Sequence, residues 1–213
     1  VAGLLARSTG EITVDGRLVT RPLTDLGIAF QDHLLLDFRT AFENVMLHAD
    51  IRGLDRETLA RRAKDLFAQL RLEHAMDKYP NQLSGGMRQR VSLIRTLVHE
   101  PPVILMDEPF GALDALTRLQ VRTDLESLWL RRRPTVVFIT HSVEEAVGLS
   151  DRILVMSPSP GEVIDDIEVD LPRPRPIVLG DAAAFAAYVD RIHHQFERMG
   201  VLHGITLPQQ SAA

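Results

Sequence analysis

Val103-Ile104-Leu105-Met106-Asp107-Glu108-Pro109 is the stretch whose reading decides the fold. Four apolar residues without alternation are too few for a helix and read as a strand covered on both faces, which implies a parallel sheet flanked by helices. Asp107 and Glu108 then stand at the C-terminal end of that strand, where open α/β sheets place their ligands. Pro109 steers Glu108 away from helical geometry and turns the chain, so the two carboxylates need not point to opposite faces. An aspartate there suits a hydrated magnesium ion, and the glutamate suits orienting a water. A strand-ending surface pair fits the same dipeptide.

Downstream, Ala115 to Leu130 has helical periodicity and Val136 to Ile139 repeats the short apolar run. The alternation of strand and helix from Val103 to Met156 predicts right-handed parallel crossovers and an α/β sheet. Ser157-Pro158-Ser159-Pro160-Gly161 breaks the pattern, Val163 to Val169 reads as a further strand or hairpin, and Pro172-Arg173-Pro174-Arg175-Pro176 reads as a stiff extended linker. A last helix is expected from an N-cap at Asp181, with Phe185, Val189, Ile192, Phe196 and Met199 along one stripe.

Upstream, Glu11 to Asp15 reads as a strand turning at Gly16 into a hairpin partner over Arg17 to Val19, and Leu26 to Phe30 as a second strand. Val1 to Leu5 reads as the last turn of an apolar helix. From Thr40 to Glu100 the period becomes helical: Phe42, Val45 and Met46 share one face, and Leu59, Ala63, Leu66 and Leu70 another. Ser84-Gly85-Gly86 opens a helix whose apolar face holds Val91, Ile94, Leu97 and Val98. Exposed N–H groups at such a start, with no side chain on either glycine, favour an anion. A plain serine N-cap fits as well.

Composition narrows the class. With 213 residues, 45% hydrophobic and 25% charged, the chain is an ordinary globular one. A net charge of -5 without a basic stripe disfavours nucleic acid, and Arg131-Arg132-Arg133 reads as a solvated helix end. Zero cysteines excludes disulfides and thiolate metal sites and fits a reducing compartment. No apolar run approaches the ~18 residues of a membrane span, so a soluble, cytoplasmic chain is expected.

Leu83-Ser84-Gly85-Gly86-Met87-Arg88-Gln89-Arg90 resembles the signature motif of the ATP-binding cassette (ABC) ATPases. Around it, in the family's order, Gln31 resembles the Q-loop glutamine, Asp107-Glu108 the Walker B pair, Gly111-Ala112-Leu113-Asp114 the D-loop and His141 the H-loop histidine. The resemblance implies a P-loop NTPase-like, RecA-like α/β core formed by residues 1–33 and 99–170, an inserted α-helical subdomain over 34–98, and a linker with a helical extension over 171–213. It implies ATP and Mg2+ as cofactors and a head-to-tail dimer with a second ATPase subunit. In that dimer Ser84, Gly85 and Gly86 contact the γ-phosphate held by the partner. Within one subunit Asp107 binds the metal, Gln31 senses metal and water, Glu108 activates the water and His141 holds the γ-phosphate, while Asp114 connects the two sites. Transmembrane permease subunits, docking beside Gln31, and indirectly an extracytoplasmic substrate-binding protein are the further partners. The location implied is peripheral, on the cytoplasmic face of the membrane. DNA-repair and cohesion ATPases of this type are disfavoured, since no coiled-coil insertion separates Gln31 from Ser84 and no zinc cluster is present.

Phe30-Gln31-Asp32-His33, Met87 in the signature, Ser157 to Gly161 and Leu171-Pro172-Arg173-Pro174-Arg175 are similar to the nitrate/sulfonate/taurine importer ATPases. One family element is absent from these residues. The only lysines are Lys64 and Lys78, so no Gly-Lys phosphate loop occurs. Ala2-Gly3-Leu4-Leu5 resembles the end of the helix that follows that loop, so an N-terminally truncated ATPase is expected, with this chain by itself inactive. A catalytically incompetent fragment, or a partner that donates only its signature face, is the alternative.

Overall fold

The computed structural model describes residues 1–111, 113–175 and 182–201. The chain divides into two compact units, Val1–Ile139 and Thr140–Ala213.

In the first unit β1 (Thr13–Val14) and β2 (Arg17–Leu18) form an antiparallel hairpin. Asp15 and Gly16 both take positive φ, 49° and 72°, as the Asp-Gly hairpin turn demands. The sheet that matters for function has the order β3 (Gly27–Ala29), β4 (Val103–Asp107), β5 (Thr135–Ile139), all parallel. Its register sets Ala29 opposite Met106 and Asp107 opposite Ile139. The central strand of the sheet therefore ends in the two carboxylates, as its apolar run predicts.

Each helix begins where its sequence supplies a cap. Thr40 and Glu43 form a reciprocal capping box on α1 (Ala41–Arg52), and Asp55 caps α2 (Arg56–Gln69). Gly53 closes α1 with φ 63° and donates its N–H to Ala49 O. Ser84 caps α3 (Gly85–Leu97), and Asp114 caps α4 (Ala115–Arg132). The stripes read from the sequence meet in one core, where Val45, Met46, Leu59, Ala63, Phe67, Leu70, Val91 and Ile94 are buried and Phe42 and Leu66 pack from its edge. Burial of each large side chain there contributes roughly 1.5–3 kcal/mol. Arg131 and Arg132 lie in the last turn of α4, solvated as expected, and Arg133 closes it in the left-handed conformation.

Two expectations fail in this unit. Unlike β4, β5 is not covered on both faces: Val137 is 42% and Ile139 58% exposed. It is an edge strand of a three-stranded sheet, so its apolar run reports β-propensity without enclosure. Val1 to Leu5 forms bends, not a helical turn. Gly3 has φ 75°, and the Ala2 carbonyl accepts the Leu23 N–H at 2.9 Å, which commits the backbone elsewhere.

In the second unit α5 (Val143–Leu149) leads to β6 (Arg152–Met156), which pairs antiparallel with β7 (Val163–Glu168) through the Ser157–Gly161 turn. This corrects the expectation that β6 extends the parallel sheet: among the described strands its only partner is β7, because the short turn returns the chain alongside it. On α6 (Ala182–Arg198) and just beyond it, the predicted stripe is present: Ile192 is buried, with Phe185, Val189, Phe196 and Met199 packed around Val147, Val155 and Ile167. The proline-rich segment is neither an extended run nor a spacer: the backbone bends at Arg173 and Pro174. Arg175 is buried and donates to the carbonyls of Val147, Ser150, Val169 and Leu171, and Arg173 donates to Leu149 O and Asp151. Asp181, Ala112 and Pro176 lie outside the described residues.

Candidate functional site

The site begins where β4 ends. Asp107 is exposed and is the last ladder residue, paired in register with Ile139. Glu108 then takes φ 42°, a conformation disfavoured for a side-chain-bearing residue at a cost of order 1–3 kcal/mol. Three features hold it there. Its N–H donates to Ile139 O at 2.9 Å, its carbonyl accepts from Gly111 N at 3.1 Å, and Pro109 and Phe110 are buried directly after it. The backbone turns at Glu108 directly after the strand, as Pro109 led us to expect.

The neighbouring strand delivers the glutamine. Ala29 lies beside Met106, so two residues past the end of β3 the side chain of Gln31 meets Glu108, donating from Nε2 to Oε2 at 3.4 Å. Both residues were singled out from sequence, and the structure brings them into contact across 77 residues of chain.

Ser84 is the N-cap of α3 and accepts the Met87 N–H at 3.3 Å. The two glycines that follow differ. A β-carbon on Gly85 would meet nothing within 4 Å, whereas one on Gly86 would run into the Thr117 methyl of α4. Gly86 is thus a packing glycine and Gly85 an open one. Asp114 caps α4 by accepting the Thr117 N–H at 3.0 Å. Its hydrogen bonds with the Thr117 side chain and backbone hold its carboxyl below the usual range.

His141 belongs to the second unit and is exposed. The turn that carries it is built from hydroxyls. Thr140 Oγ1 donates to the buried Glu145 at 2.6 Å and accepts the Ser142 N–H at 3.0 Å. Ser142 Oγ in turn caps α5 at Glu145 N, 3.3 Å away.

Sequence reasoning passed over the residues that hold the backbone after Gln31. Asn44, completely buried, accepts the Leu36 N–H at 2.7 Å and donates to the carbonyls of Leu36, Arg39 and Thr40. From α3, Gln89 meets His33, and Arg95 meets the carbonyls of His33 and Leu34. A signal existed: Gln89, Ser92 and Thr96 sit at helical spacing and are all buried, a polar line on the inward face of a helix that otherwise reads as apolar.

A parallel sheet whose central strand ends in two carboxylates, with a glutamine from the adjacent strand on the second of them, defines the class: a P-loop NTPase-like α/β core. Comparison with known proteins narrows it. The ABC transporter family matches residues 1–111. The chain is 42% identical over 203 residues to the taurine import ATP-binding protein TauB of Rhizobium johnstonii, covering 95% of this chain and 77% of that one. It is 38% identical over 202 residues to the aliphatic sulfonates import ATP-binding protein SsuB of Bacillus cereus, covering 95% and 78%. An uncharacterized ABC transporter ATP-binding protein of Methanocaldococcus jannaschii, MJ0412, is 42% identical over 175 residues, 82% of this chain and 66% of that one. The chain thus spans about two thirds to three quarters of the length of these relatives. Among solved structures, the dimeric ABC transporter cassette MJ0796 superposes with a TM-score of 0.67 at 31% identity, over 79% of this chain and 77% of that chain. Its dimeric post-hydrolysis state bound to ADP and Pi gives 0.63 over 76% and 74%. The chain belongs to the ABC transporter ATP-binding family.

Proposed function

We propose that this chain is the ATP-hydrolysing subunit of an ABC importer for taurine, an alkanesulfonate, nitrate or a similar small anion. The observation that carries the reading is the contact of Gln31 with Glu108 beside Asp107 at the end of β4. Names of relatives that import taurine and aliphatic sulfonates support the cargo.

On this reading Glu108 orients and deprotonates the attacking water, held in place by the Gln31 amide and by its own constrained backbone. Asp107 and the Gln31 carbonyl are the groups that would hold magnesium. They fit it in kind: both are hard oxygen donors, and Asp107 is exposed. That suits an ion that keeps several waters and binds through substrate phosphates. When bound, the ion supplies charge neutralisation of the phosphates. His141 holds the γ-phosphate, and Ser84, Gly85 and Gly86 close on ATP held by a second subunit, with Asp114 between the two sites. The RecA-like core over 1–33 and 99–170, the helical subdomain over 34–98 and the extension over 171–213 are the organisation we assign. Partners are a permease, the second ATPase subunit and, through the permease, an extracytoplasmic binding protein. The chain works on the cytoplasmic face of the membrane. Among the described residues no helix is long and apolar enough to cross a membrane.

The 213 residues contain no Gly-Lys loop, so by themselves they lack the main grip on the β- and γ-phosphates. ATP turnover is the test, measured on this chain and on the same chain fused behind a phosphate-loop segment of the family's type. Magnesium-dependent turnover in the fusion, abolished by Glu108→Gln, with none in the 213 residues alone, is expected. Turnover in the unfused chain, or a fusion indifferent to Glu108→Gln, overturns the assignment. Uptake of labelled taurine or alkanesulfonate, lost on deletion of the gene, tests the cargo.

A further inference from the structure

Gln31 hangs between two anchors. On one side is the ladder that sets Ala29 against Met106. Beyond it Phe30, Gln31 and Asp32 are exposed, so nothing enclosed around them fixes where the glutamine points. The second anchor comes from α3. Arg95 donates from Nη1 to Leu34 O at 2.6 Å and from Nη2 to His33 O at 2.8 Å. One planar guanidinium thereby reads two successive carbonyls, a geometry that lysine cannot reproduce. One turn and a half earlier on the same helix, Gln89 Oε1 lies 2.8 Å from His33 Nδ1. Gln89 is buried and its Nε2 has no partner among the described residues, so turning its amide over preserves the link with donor and acceptor exchanged.

The clamped segment needs holding. Leu34 has φ 44°, a left-handed conformation that a β-carbon disfavours. The clamp itself is firmly seated. Thr96, next to Arg95, donates to Ile28 O at 3.1 Å, and a β-carbon on Gly27 would come within 2.8 Å of Thr96, so only glycine lets the end of α3 lie this close to β3. Burial lowers the Arg95 pKa from its ordinary value, yet a guanidinium stays charged and these donors stay available. The same uninterrupted helix starts at Gly85-Gly86.

We propose that Arg95, assisted by Gln89, is a positioning residue for Gln31. The signature helix holds the backbone at 33–34 by side chains, so a displacement of α3 is passed to the glutamine that faces Glu108. The importance of Gln31 rests on the ATPase reading above; the clamp does not, and its test uses no nucleotide.

Hydrogen exchange of residues 30–36 is measured in the full chain against α2 as an internal standard, together with the side-chain amide signal of Gln31, assigned by its loss in Gln31→Met. In Arg95→Met, exchange over 30–36 is expected to rise on the order of tenfold while α2 stays within about twofold, and the Gln31 amide signal to move. Arg95→Lys, which keeps the charge and at most one of the two bonds, should fall between. Wild-type exchange over 30–36, an unmoved Gln31 signal, or an equal rise in α2 would overturn the proposal, the last by showing a merely structural loss. If Arg95→Met does not fold, Gln89→Met decides: it removes the His33 link alone, and a rise confined to 30–36 supports the clamp while no rise refutes it.

Discussion

Gly86→Ala tests whether the second signature glycine is a packing residue. The added β-carbon points into the Thr117 methyl group of α4. Overpacking of this kind costs roughly 1–3 kcal/mol. Alanine in place of glycine returns at most about 1 kcal/mol of helix propensity, less in the first turn. A net loss of about 1–2 kcal/mol is therefore expected. Rotation offers Thr117 little escape, because a β-branched side chain in a helix has only one or two open χ1 wells. Thr117→Ser deletes the methyl and by itself costs about 0.5–1 kcal/mol. In the double variant the collision is gone, so Gly86→Ala on the serine background should be neutral or slightly stabilising, a coupling energy of about 1–2 kcal/mol. Gly85→Ala is the control: with nothing within 4 Å of its β-carbon, it should change stability by less than about 0.5 kcal/mol. The assay is urea unfolding followed by fluorescence of the single tryptophan, Trp129, which lies in α4 and reports on the unit that holds both helices. Additive single effects, within about 0.4 kcal/mol, or Gly85→Ala being the more damaging change, would refute the reasoning.

Three further outcomes are expected. His48 and His99 stack at 4.0 Å between ring centroids; burial foremost, then the neighbouring His99, pushes His48 down to about 4. The unfolded chain takes up that proton near 6.5 and the native one only near 4, so stability present above pH 6.5 is lost as pH falls toward 4. The ceiling is ~3 kcal/mol, and roughly 1–2 kcal/mol after discounting for the solvent that still reaches the ring; His48→Gln should flatten that limb of a stability-versus-pH curve. Asn44→Ala takes the side-chain partner from the Leu36 N–H and the Arg39 carbonyl, leaves the Leu36 and Thr40 carbonyls only their backbone donors, and should cost about 2–4 kcal/mol in the same unfolding assay, with Asn44→Asp worse because a carboxylate oxygen would face those carbonyls. Arg175→Met strips donors from four carbonyls of the second unit and should lower its thermal midpoint while hydrogen exchange of α3 is unchanged.

Legibility in the sequence followed the physics of each element. Where a local signal and a period agreed, as at Ser84 before α3 or at Asp15-Gly16, the structure matches the reading to within a residue or two. The β4 end was legible because an apolar run, two carboxylates and a proline each constrain the same three bonds. β5 misled because apolar content reports strand preference and says nothing about how many neighbours a strand has. The strap of Arg173 and Arg175 was illegible for a related reason: prolines fix φ locally, while the carbonyls those arginines reach lie 24 to 28 residues away, apart from nearer ones at Val169 and Leu171. Gln89 and Arg95 stand between these cases. Their partners cannot be read from spacing, but polar residues on the inward face of a helix announce that partners exist.

Ser84 and Asp114 prove to be helix caps, which at first sight supplies the bland explanation for both. The count of donors argues otherwise for α3. A helix start presents four N–H groups without intrahelical partners. Here they belong to Ser84, Gly85, Gly86 and Met87, since the Arg88 N–H already bonds within the helix to the Ser84 carbonyl, and Ser84 Oγ takes that of Met87. The N–H groups of Gly85 and Gly86 have no partner among the described residues, at the positive end of a 13-residue helix, and beside Gly85 the space is open. Capping therefore fixes the direction of this end without using up its donors, and an anion arriving there would gain two charge-assisted bonds. For Asp114 the cap does the reverse. Thr117 keeps the carboxyl ionised below its ordinary range and ties it to the helix, leaving a fixed negative charge at the surface. On the ATPase reading one end faces the nucleotide of a second subunit and the other an interface. The capping bonds are what hold both rigid enough to do so.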